Sequence, residues 1–145
     1  MCTYMNIIFF LTPKKDVEYV ESDFTIRQVV EKMEYHHYTA VPIIDTQGKY
    51  VDVISADDIL FTLKNYHFNW EKAMKVNILT IKPYRSIEAL TIDKDLNDLL
   101  KIISNQNFVP VVDDNNYFIG IITRQSVLKY LKQQLNDYQK YQSSN

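Results

Sequence analysis

The chain has 145 residues, of which 46% are hydrophobic and 23% charged, and its formal net charge is −2. This length and composition fit one compact domain, or two small halves that share a core, and exclude a disordered chain. The single cysteine, Cys2, excludes a disulfide scaffold and a zinc site made of cysteines, and the acidic balance argues against nucleic acid as the main partner.

The first apolar run, residues 7–11, is far too short to cross a bilayer, which takes about 20 residues. No lysine or arginine precedes it, whereas a secretory signal begins with positive charge. We therefore expect this run to form a strand or the end of a helix that packs on the core. We also expect the protein to be cytoplasmic, with no membrane partner.

Hydrophobic periodicity predicts the element order β-α-β-β-α in the first half of the chain. A short apolar stretch comes first, and Thr25 is placed as the N-cap of the following helix because its hydroxyl can bond a free backbone N–H. The later elements are a helix over residues 25–36, a buried strand over 39–44, a turn over 45–48, a strand over 50–54 and a helix from Ala56.

The second half repeats this order after a short connecting helix over residues 69–74. Pro110 in F-V-P-V-V-D lies 68 positions after Pro42 in A-V-P-I-I-D, and at this offset Gly120 falls on Asp52. Before these strands, the two copies align at an offset of 70 residues, at which Thr25 falls on Asp95. The predicted elements are a helix over residues 95–105 with Asp95 as N-cap, a strand over 108–112, a turn over 113–116, a strand over 118–122 and a helix from Arg124.

Glycine is scarce, since Gly48 and Gly120 are the only two in the chain and stand far apart. A Walker-type phosphate loop needs two glycines close together, and a GxGxxG dinucleotide turn needs three. The usual motifs of P-loop nucleotide hydrolases and Rossmann dehydrogenases are therefore excluded.

The repeated hydrophobic-Pro-hydrophobic-hydrophobic-Asp strand, the hairpin after it and the G-I-I-T sequence of residues 120–123 resemble the CBS motif. Two copies in tandem look like a CBS pair, or Bateman module, over roughly residues 12–132. The resemblance implies an α/β (α+β) fold of two β-α-β-β-α motifs related by pseudo-twofold symmetry. The predicted domains are CBS motif 1 over residues 12–66, a linker helix over 67–79, CBS motif 2 over 80–132, and a polar C-terminal tail over 133–145 that is expected to extend the last helix, fray and then become disordered.

A free-standing CBS pair of this size is similar to the stand-alone cyclic-di-AMP-binding CBS proteins of Gram-positive bacteria. The sequences H-Y-T-A-V-P of residues 37–42 and G-I-I-T-R of residues 120–124 carry this closer similarity. It implies a regulatory homodimer that binds an adenine nucleotide, cyclic di-AMP first of all, in the cleft between its two motifs. It further implies signalling to a partner protein, for example a stringent-response nucleotide synthetase.

Two alternatives to a cyclic di-AMP receptor remain open. One is a CBS module that senses AMP, ADP or ATP, and the other is a structural subunit whose clefts are empty. An enzyme is not expected, because no set of catalytic groups is visible in the sequence.

The resemblance assigns the ribose contacts of the first copy to Ser55 and Asp58. An ionised aspartate accepts hydrogen bonds from both ribose hydroxyls, and a serine at the start of a helix can meet a phosphate. Residues 55–58 also fit a capping box, with Asp in place of the usual Glu. The two roles can coexist.

The adenine is expected against the start of the first motif. Lys15 and Val17 lead into its first strand, and Thr39, Ala40 and Pro42 enter the next. The small Ala40 leaves room for a ring whose edge the backbone N–H and C=O groups can bind. Plain core packing is the alternative for Val17, Ala40 and Pro42.

The second copy departs from the family pattern. Thr123 and Ser126 take the two ribose positions, so a short neutral side chain replaces the carboxylate, and Phe108 replaces Ala40 beside the same cleft. We therefore expect one good site per chain, built mainly from the first copy.

A ligand with two phosphates needs cations, and Lys14, Lys15 and Arg124 are the candidates. Arg124 opens the last helix, where the resemblance implies that its guanidinium binds phosphate in a bidentate way. Gln125 can add a hydrogen bond. A solvated surface arginine is the alternative.

No metal site is predicted. His36 and His37 are adjacent at a helix end, where neighbouring side chains do not face the same way. The acidic turn at residues 113–116 lacks the glycine and the distal glutamate of a calcium-binding loop.

Overall fold

The computed structural model describes residues 5–144, which form two compact units. One combines the chain up to Val17 with Leu90–Asp114 and the chain from Ile119 onward, and we call it the terminal unit. The other combines Glu18–Ala89 with Asn115–Phe118, and we call it the central unit.

The observed elements repeat the order β-α-β-β-α, as the sequence predicts. The two-residue strand Thr12–Pro13, the connecting helix Trp70–Met74 and three short 3-10 helices, Ile7–Phe10, Lys14–Asp16 and Ile78–Thr80, lie outside this repeat. In chain order the strands and α-helices are β1 (Thr12–Pro13), β2 (Val20–Glu21), α1 (Ile26–His36), β3 (Ala40–Ile44), β4 (Tyr50–Ser55), α2 (Ala56–Asn65), α3 (Trp70–Met74), β5 (Leu90–Thr91), α4 (Leu96–Ile103), β6 (Phe108–Val112), β7 (Phe118–Thr123) and α5 (Arg124–Ser143).

The central unit packs α1, α2 and α3 with a three-stranded sheet of order β2-β3-β4. Strand β2 runs parallel to β3, and β3 runs antiparallel to β4, which forms one edge of the sheet. Val20 and Ile26 are completely buried in its core. Helix α1 begins after Thr25, as predicted, and the Gln28 side chain accepts a 2.8 Å hydrogen bond from the Thr25 N–H.

The terminal unit contains a four-stranded sheet of order β1-β7-β6-β5. Strand β5 runs parallel to β6, and β1 runs antiparallel to β7. Ile7 and Phe10 are buried in its core together with Leu99 and Ile122. The run therefore packs on the core through these two residues, as expected, but it forms a 3-10 helix rather than a strand, and Ile8 and Phe9 are exposed.

Helix α5 extends into the polar tail, as the sequence predicts, but no disordered stretch follows before its end. It continues to Ser143, so the prediction of disorder is wrong for the tail up to that residue, while Asn145 lies outside the described residues. Glutamine, a good helix former, is frequent in this tail, and neither glycine nor proline interrupts it. No helix in residues 5–144 is long and apolar enough to span a membrane.

Gly120 and Asp52 occupy equivalent positions in the two motifs but have different surroundings. Gly120 lies in β7 opposite Pro13 of β1, and a Cβ atom built on it would lie 2.1 Å from the carbonyl oxygen of Thr12. The close approach of β1 therefore requires glycine at this position. Asp52 lies in the edge strand β4, and its carboxylate binds a neighbouring segment instead.

Candidate functional site

Ser55 and Asp58 form the capping box that residues 55–58 predict. Ser55 is the N-cap of α2, and its Oγ accepts a 3.3 Å hydrogen bond from the Asp58 N–H. Asp58 Oδ2 accepts from the Ser55 N–H at 2.9 Å and from the Ser55 hydroxyl at 3.0 Å. The helix-capping alternative is therefore confirmed, and it leaves the other carboxylate oxygen for further contacts.

That second oxygen of Asp58 is partly used as well. Oδ1 accepts a 2.9 Å hydrogen bond from the backbone N–H of Tyr84, and Asp58 is only 5% exposed. A carboxylate offers about four lone-pair positions, so three of them are filled within the central unit. One acceptor position remains for another donor.

A cavity of about 660 Å³ lies beside Asp58. A volume of this order suits a small-molecule ligand of nucleotide size. Aromatic rings in its wall can pack against a base, while hydroxyl, carboxylate and ammonium groups can bind the polar parts of a ligand. Its lining includes Asp58, Phe61, Tyr66, Thr80, Lys82 and Tyr84.

No motif in the sequence marks residues 80–84 as part of a site. A signal for them exists, because Pro83 follows Pro13 by 70 positions, the upstream offset of the repeat. Residues 80–84 of the second copy thus correspond to residues 10–14, where the first motif begins. They lie before β5 and line the cavity there, but their residue types match no ligand-binding motif that could have marked them in the sequence.

Asp52 and Tyr50 hold the segment that follows this cavity wall. Asp52 Oδ2 accepts from the Ser86 hydroxyl at 2.9 Å, and Oδ1 accepts from the Ile87 N–H at 3.1 Å. The Tyr50 hydroxyl donates to the carbonyl oxygen of Ile87. Burial raises the pKa of the Tyr50 phenol well above its ordinary value, and the negative charge of Asp52 raises it further.

The raised pKa of Tyr50 predicts a specific loss of stability at alkaline pH. Above pH about 10 the unfolded chain releases this proton while the folded chain keeps it, so the free energy of unfolding falls by about 1.4 kcal/mol per pH unit. We expect Tyr50→Phe to remove this pH-dependent fall in the free energy of unfolding, as measured by urea unfolding between pH 9 and pH 11. The exposed Tyr138→Phe is the control, and parallel pH curves for wild type and Tyr50→Phe would contradict the assignment.

The adenine contacts predicted at the start of β3 lie beside Ser55. Ala40 is the β-sheet partner of Ser55, and the Thr39 carbonyl oxygen accepts a 2.8 Å hydrogen bond from the Ala56 N–H. Thr39 is exposed and Ala40 half-buried, whereas Pro42 is buried within β3. Core packing is thus the observed environment of Pro42.

Thr123, Arg124 and Gln125 lie together at the start of α5 in the terminal unit. They line a cavity of about 590 Å³ that also includes Lys129 and Lys132. Thr123 is the N-cap of α5, and Arg124 Nε donates a 3.0 Å hydrogen bond to the carbonyl oxygen at the end of α4. The guanidinium is therefore oriented by α4 rather than freely solvated.

The predicted binding residues are divided evenly between the units. Val17 is buried, and Lys15 is exposed within a short 3-10 helix. The terminal unit holds Lys15, Val17, Thr123, Arg124 and Gln125, and the central unit holds Thr39, Ala40, Pro42, Ser55 and Asp58.

The histidine pair stands at the end of α1. His36 is the last helical residue, with Nε2 3.4 Å from a carboxylate oxygen of Glu18, and His37 caps the helix with a φ of 59°. In the part of the chain that the structure describes, no group of three or more His, Cys, Asp or Glu side chains could hold a metal ion.

Comparison with known families and structures agrees with the internal repeat. A sequence model described as the CBS domain matches residues 9–65 and again residues 72–133. Among solved structures, the chain is similar to CbpB in complex with c-di-AMP, with a TM-score of 0.84 and 26% identity. The match covers 96% of this chain and 92% of that chain.

Curated proteins of similar sequence are longer than this chain. It is 29% identical over 119 residues to an uncharacterized protein of Methanocaldococcus jannaschii, covering 81% of this chain and 37% of that protein. It is also 29% identical over 98 residues to the gamma subunit of 5'-AMP-activated protein kinase of Kluyveromyces lactis, covering 64% of this chain and 30% of that subunit. The chain thus spans about a third of the length of these two relatives.

Proposed function

Because the chain belongs to the CBS-domain family, we propose that it is a non-catalytic regulatory protein that binds an adenine nucleotide, and that this nucleotide is cyclic di-AMP. The observation that carries the proposal is the Asp58 carboxylate in the wall of a cavity of about 660 Å³. Similarity to CbpB in its c-di-AMP complex over 96% of the chain supports the choice of ligand.

Each group of a dinucleotide has a candidate partner in this proposal. Asp58 accepts a hydrogen bond from the one free hydroxyl of a ribose, and the backbone near Thr39 and Ala40 binds the adenine edge. Phosphate oxygens need cationic donors, and the proposal gives this role to Lys15 and Arg124. The remaining candidates are Val17 and Pro42 for packing and Ser55, Thr123 and Gln125 for hydrogen bonds.

The proposal includes a cytoplasmic homodimer that signals to another protein. A ligand changes which surface a protein presents only if it binds two conformations with different affinity. We therefore propose that the bound and unbound forms differ in their affinity for a partner protein, for which a stringent-response nucleotide synthetase is the first candidate.

A sensor of AMP, ADP or ATP is the second candidate function. The identity of 29% with the gamma subunit of a 5'-AMP-activated protein kinase favours it. Asp58 fits either ligand class, because every adenine ribonucleotide with free ribose hydroxyls offers it donors. Lys15 and Arg124 are two candidate cations for phosphate, and this favours cyclic di-AMP, which has two separate phosphates.

A thermal-shift panel of cyclic di-AMP, AMP, ATP and cyclic di-GMP tests the proposal. A ligand at a hundredfold excess over its dissociation constant stabilises the folded state by about 2.7 kcal/mol, which raises the Tm by several degrees in a chain of this size. We expect this shift with cyclic di-AMP and none with cyclic di-GMP. A shift with AMP or ATP alone favours the second candidate, and no shift with any adenine nucleotide refutes both.

A further inference from the structure

We propose that helix α5 is a self-association surface, and that the same helix of a second copy of this chain covers it. The surface is a stripe of four exposed apolar and aromatic side chains that we call the α5 seam: Leu128, Leu131, Leu135 and Tyr138. It gives the homodimer of the proposed function a specific interface but does not depend on nucleotide binding. The seam and the nucleotide site can therefore fail separately.

Helix α5 continues well beyond the core of the terminal unit. Val127 is buried in that core and Tyr130 packs against it, whereas every residue from 131 to 144 is exposed. Leu135 is 56% exposed and Tyr138 61%. A stretch of helix this short that buries no apolar face is marginal in water. The outer turns of α5 therefore gain stability if another element covers their leucine and tyrosine side chains.

The seam has the spacing of a helix that pairs with another helix along its length. Its four members are separated by three, four and three residues, which is the a-d-a-d pattern of a coiled coil. The stripe is centred about a quarter of a turn around α5 from Val127 and Tyr130, which face the core. It is thus a surface additional to the one that packs in this chain. In such a pair the Tyr138 ring packs while its hydroxyl stays in water.

A second α5 is the partner that fits this seam. Covering it needs a helix with the same spacing over about three turns. The longest other helix of residues 5–144 is α1, which has 11 residues and packs its own apolar face in the central unit. Helix α5 has 20 residues, and pairing it with its own copy about a twofold axis gives a closed dimer.

The charges on α5 also favour a second copy over a partner of opposite charge. Three charged side chains lie at outer positions of the heptad, away from the seam: Lys129, Asp137 and Lys140. The flanking positions on either side of it include Lys132, Gln134 and Gln139. A partner selected by charge needs an array of charges at these flanks, whereas flanks rich in glutamine suit a helix equally low in charge.

The size of the seam predicts a weak dimer. Its exposed side chains form an apolar patch of a few hundred Å², an area that is typical of interaction sites on proteins. This is less than the roughly 800 Å² per partner of a standard interface. We therefore expect a dissociation constant in the micromolar range, so that monomer and dimer can both be observed.

Sedimentation velocity of the full chain between about 1 and 200 µM tests the seam directly. We expect the wild type to dimerise over this range, and Leu135→Glu to weaken the dimer by about tenfold or more, because pairing buries a carboxylate from each chain. Leu135→Met should dimerise as the wild type does. Leu135 is exposed in the single chain, so the Tm of dilute Leu135→Glu should stay unchanged. A wild type that remains monomeric, or an equally tight dimer in Leu135→Glu, overturns the proposal.

Asn136→Glu is the matched control. It introduces the same charge at the neighbouring position, about 100° around the helix from Leu135 and about 160° from Tyr138. We expect its dimer to be as tight as that of the wild type. Equal weakening in Asn136→Glu and Leu135→Glu would mean that added negative charge, and not loss of the seam, weakens association, and would overturn the assignment.

Hydrogen exchange separates this interface from a dimer formed through another surface. Raising the protein concentration should slow exchange of the amides of residues 131–141 in the wild type but not in Leu135→Glu, and leave the amides of α1 unchanged. Dimerisation without slower exchange in residues 131–141 overturns the seam and leaves the proposed homodimer and nucleotide site standing. Slower exchange in a chain that binds no adenine nucleotide supports the seam and refutes the proposed nucleotide function.

Discussion

Replacement of Gly120 by alanine is expected to lower the free energy of unfolding by about 3–5 kcal/mol. The new Cβ would lie 2.1 Å from the Thr12 carbonyl oxygen and 3.1 Å from the Pro13 Cα, both of which are backbone atoms. The φ of 154° is also unfavourable for a residue with a side chain. Strand β1 must therefore move away from β7, and thermal unfolding should show a decrease in Tm of about 10 °C.

Gly48→Ala is the control for backbone conformation alone. Gly48 has a φ of 89° in the turn between β3 and β4, so alanine there carries conformational strain of about 1–2 kcal/mol. The difference between the two variants measures the steric contact with β1. Equal losses in Gly48→Ala and Gly120→Ala would show that β1 does not pack against β7 as described.

The repeat made most of the fold predictable from sequence. Strand β6 begins and ends where the sequence analysis places it, and β4 and β7 are each longer by one residue. Most of their residues are buried or half-buried, and clear turns precede β4 and β7, so hydrophobic pattern and turn residues agree. The end of α5 was mistaken for disorder because exposed polar sequence is typical of both a solvated helix and a disordered tail.

The candidate site was predictable only where side chains carry its chemistry. Ser55 and Asp58 were found because a hydroxyl and a carboxylate stand at the spacing of a capping box. Tyr84 and Ile87 were missed because they bond through backbone N–H groups, which every residue except proline possesses. Asp52 was aligned with Gly120 in the sequence, but its partners, Ser86 and Ile87, lie more than 30 positions away and leave no local pattern.

Asp58→Asn is expected to weaken binding of cyclic di-AMP or AMP by about tenfold to a hundredfold. Hydrogen bonds to a charged acceptor contribute about 1.5–3 kcal/mol, and asparagine keeps the shape while removing the charge. The change also weakens the capping box of α2, which costs about 1 kcal/mol of stability. Calorimetric titration and urea unfolding measure the two effects separately.

Asp98→Asn provides the comparison that separates capping from binding. Asp98 is the third residue of α4 and forms the same box with Asp95, accepting from its N–H at 3.2 Å and donating its own N–H at 2.9 Å. It should lose stability in the same direction as Asp58→Asn but by less, because both variants weaken a capping box while only Asp58 is buried and also accepts from the Tyr84 N–H. Its nucleotide affinity should not change, since it has no part in the candidate site. If both variants lose stability and neither loses affinity, Asp58 is a helix cap and the ribose must be bound elsewhere.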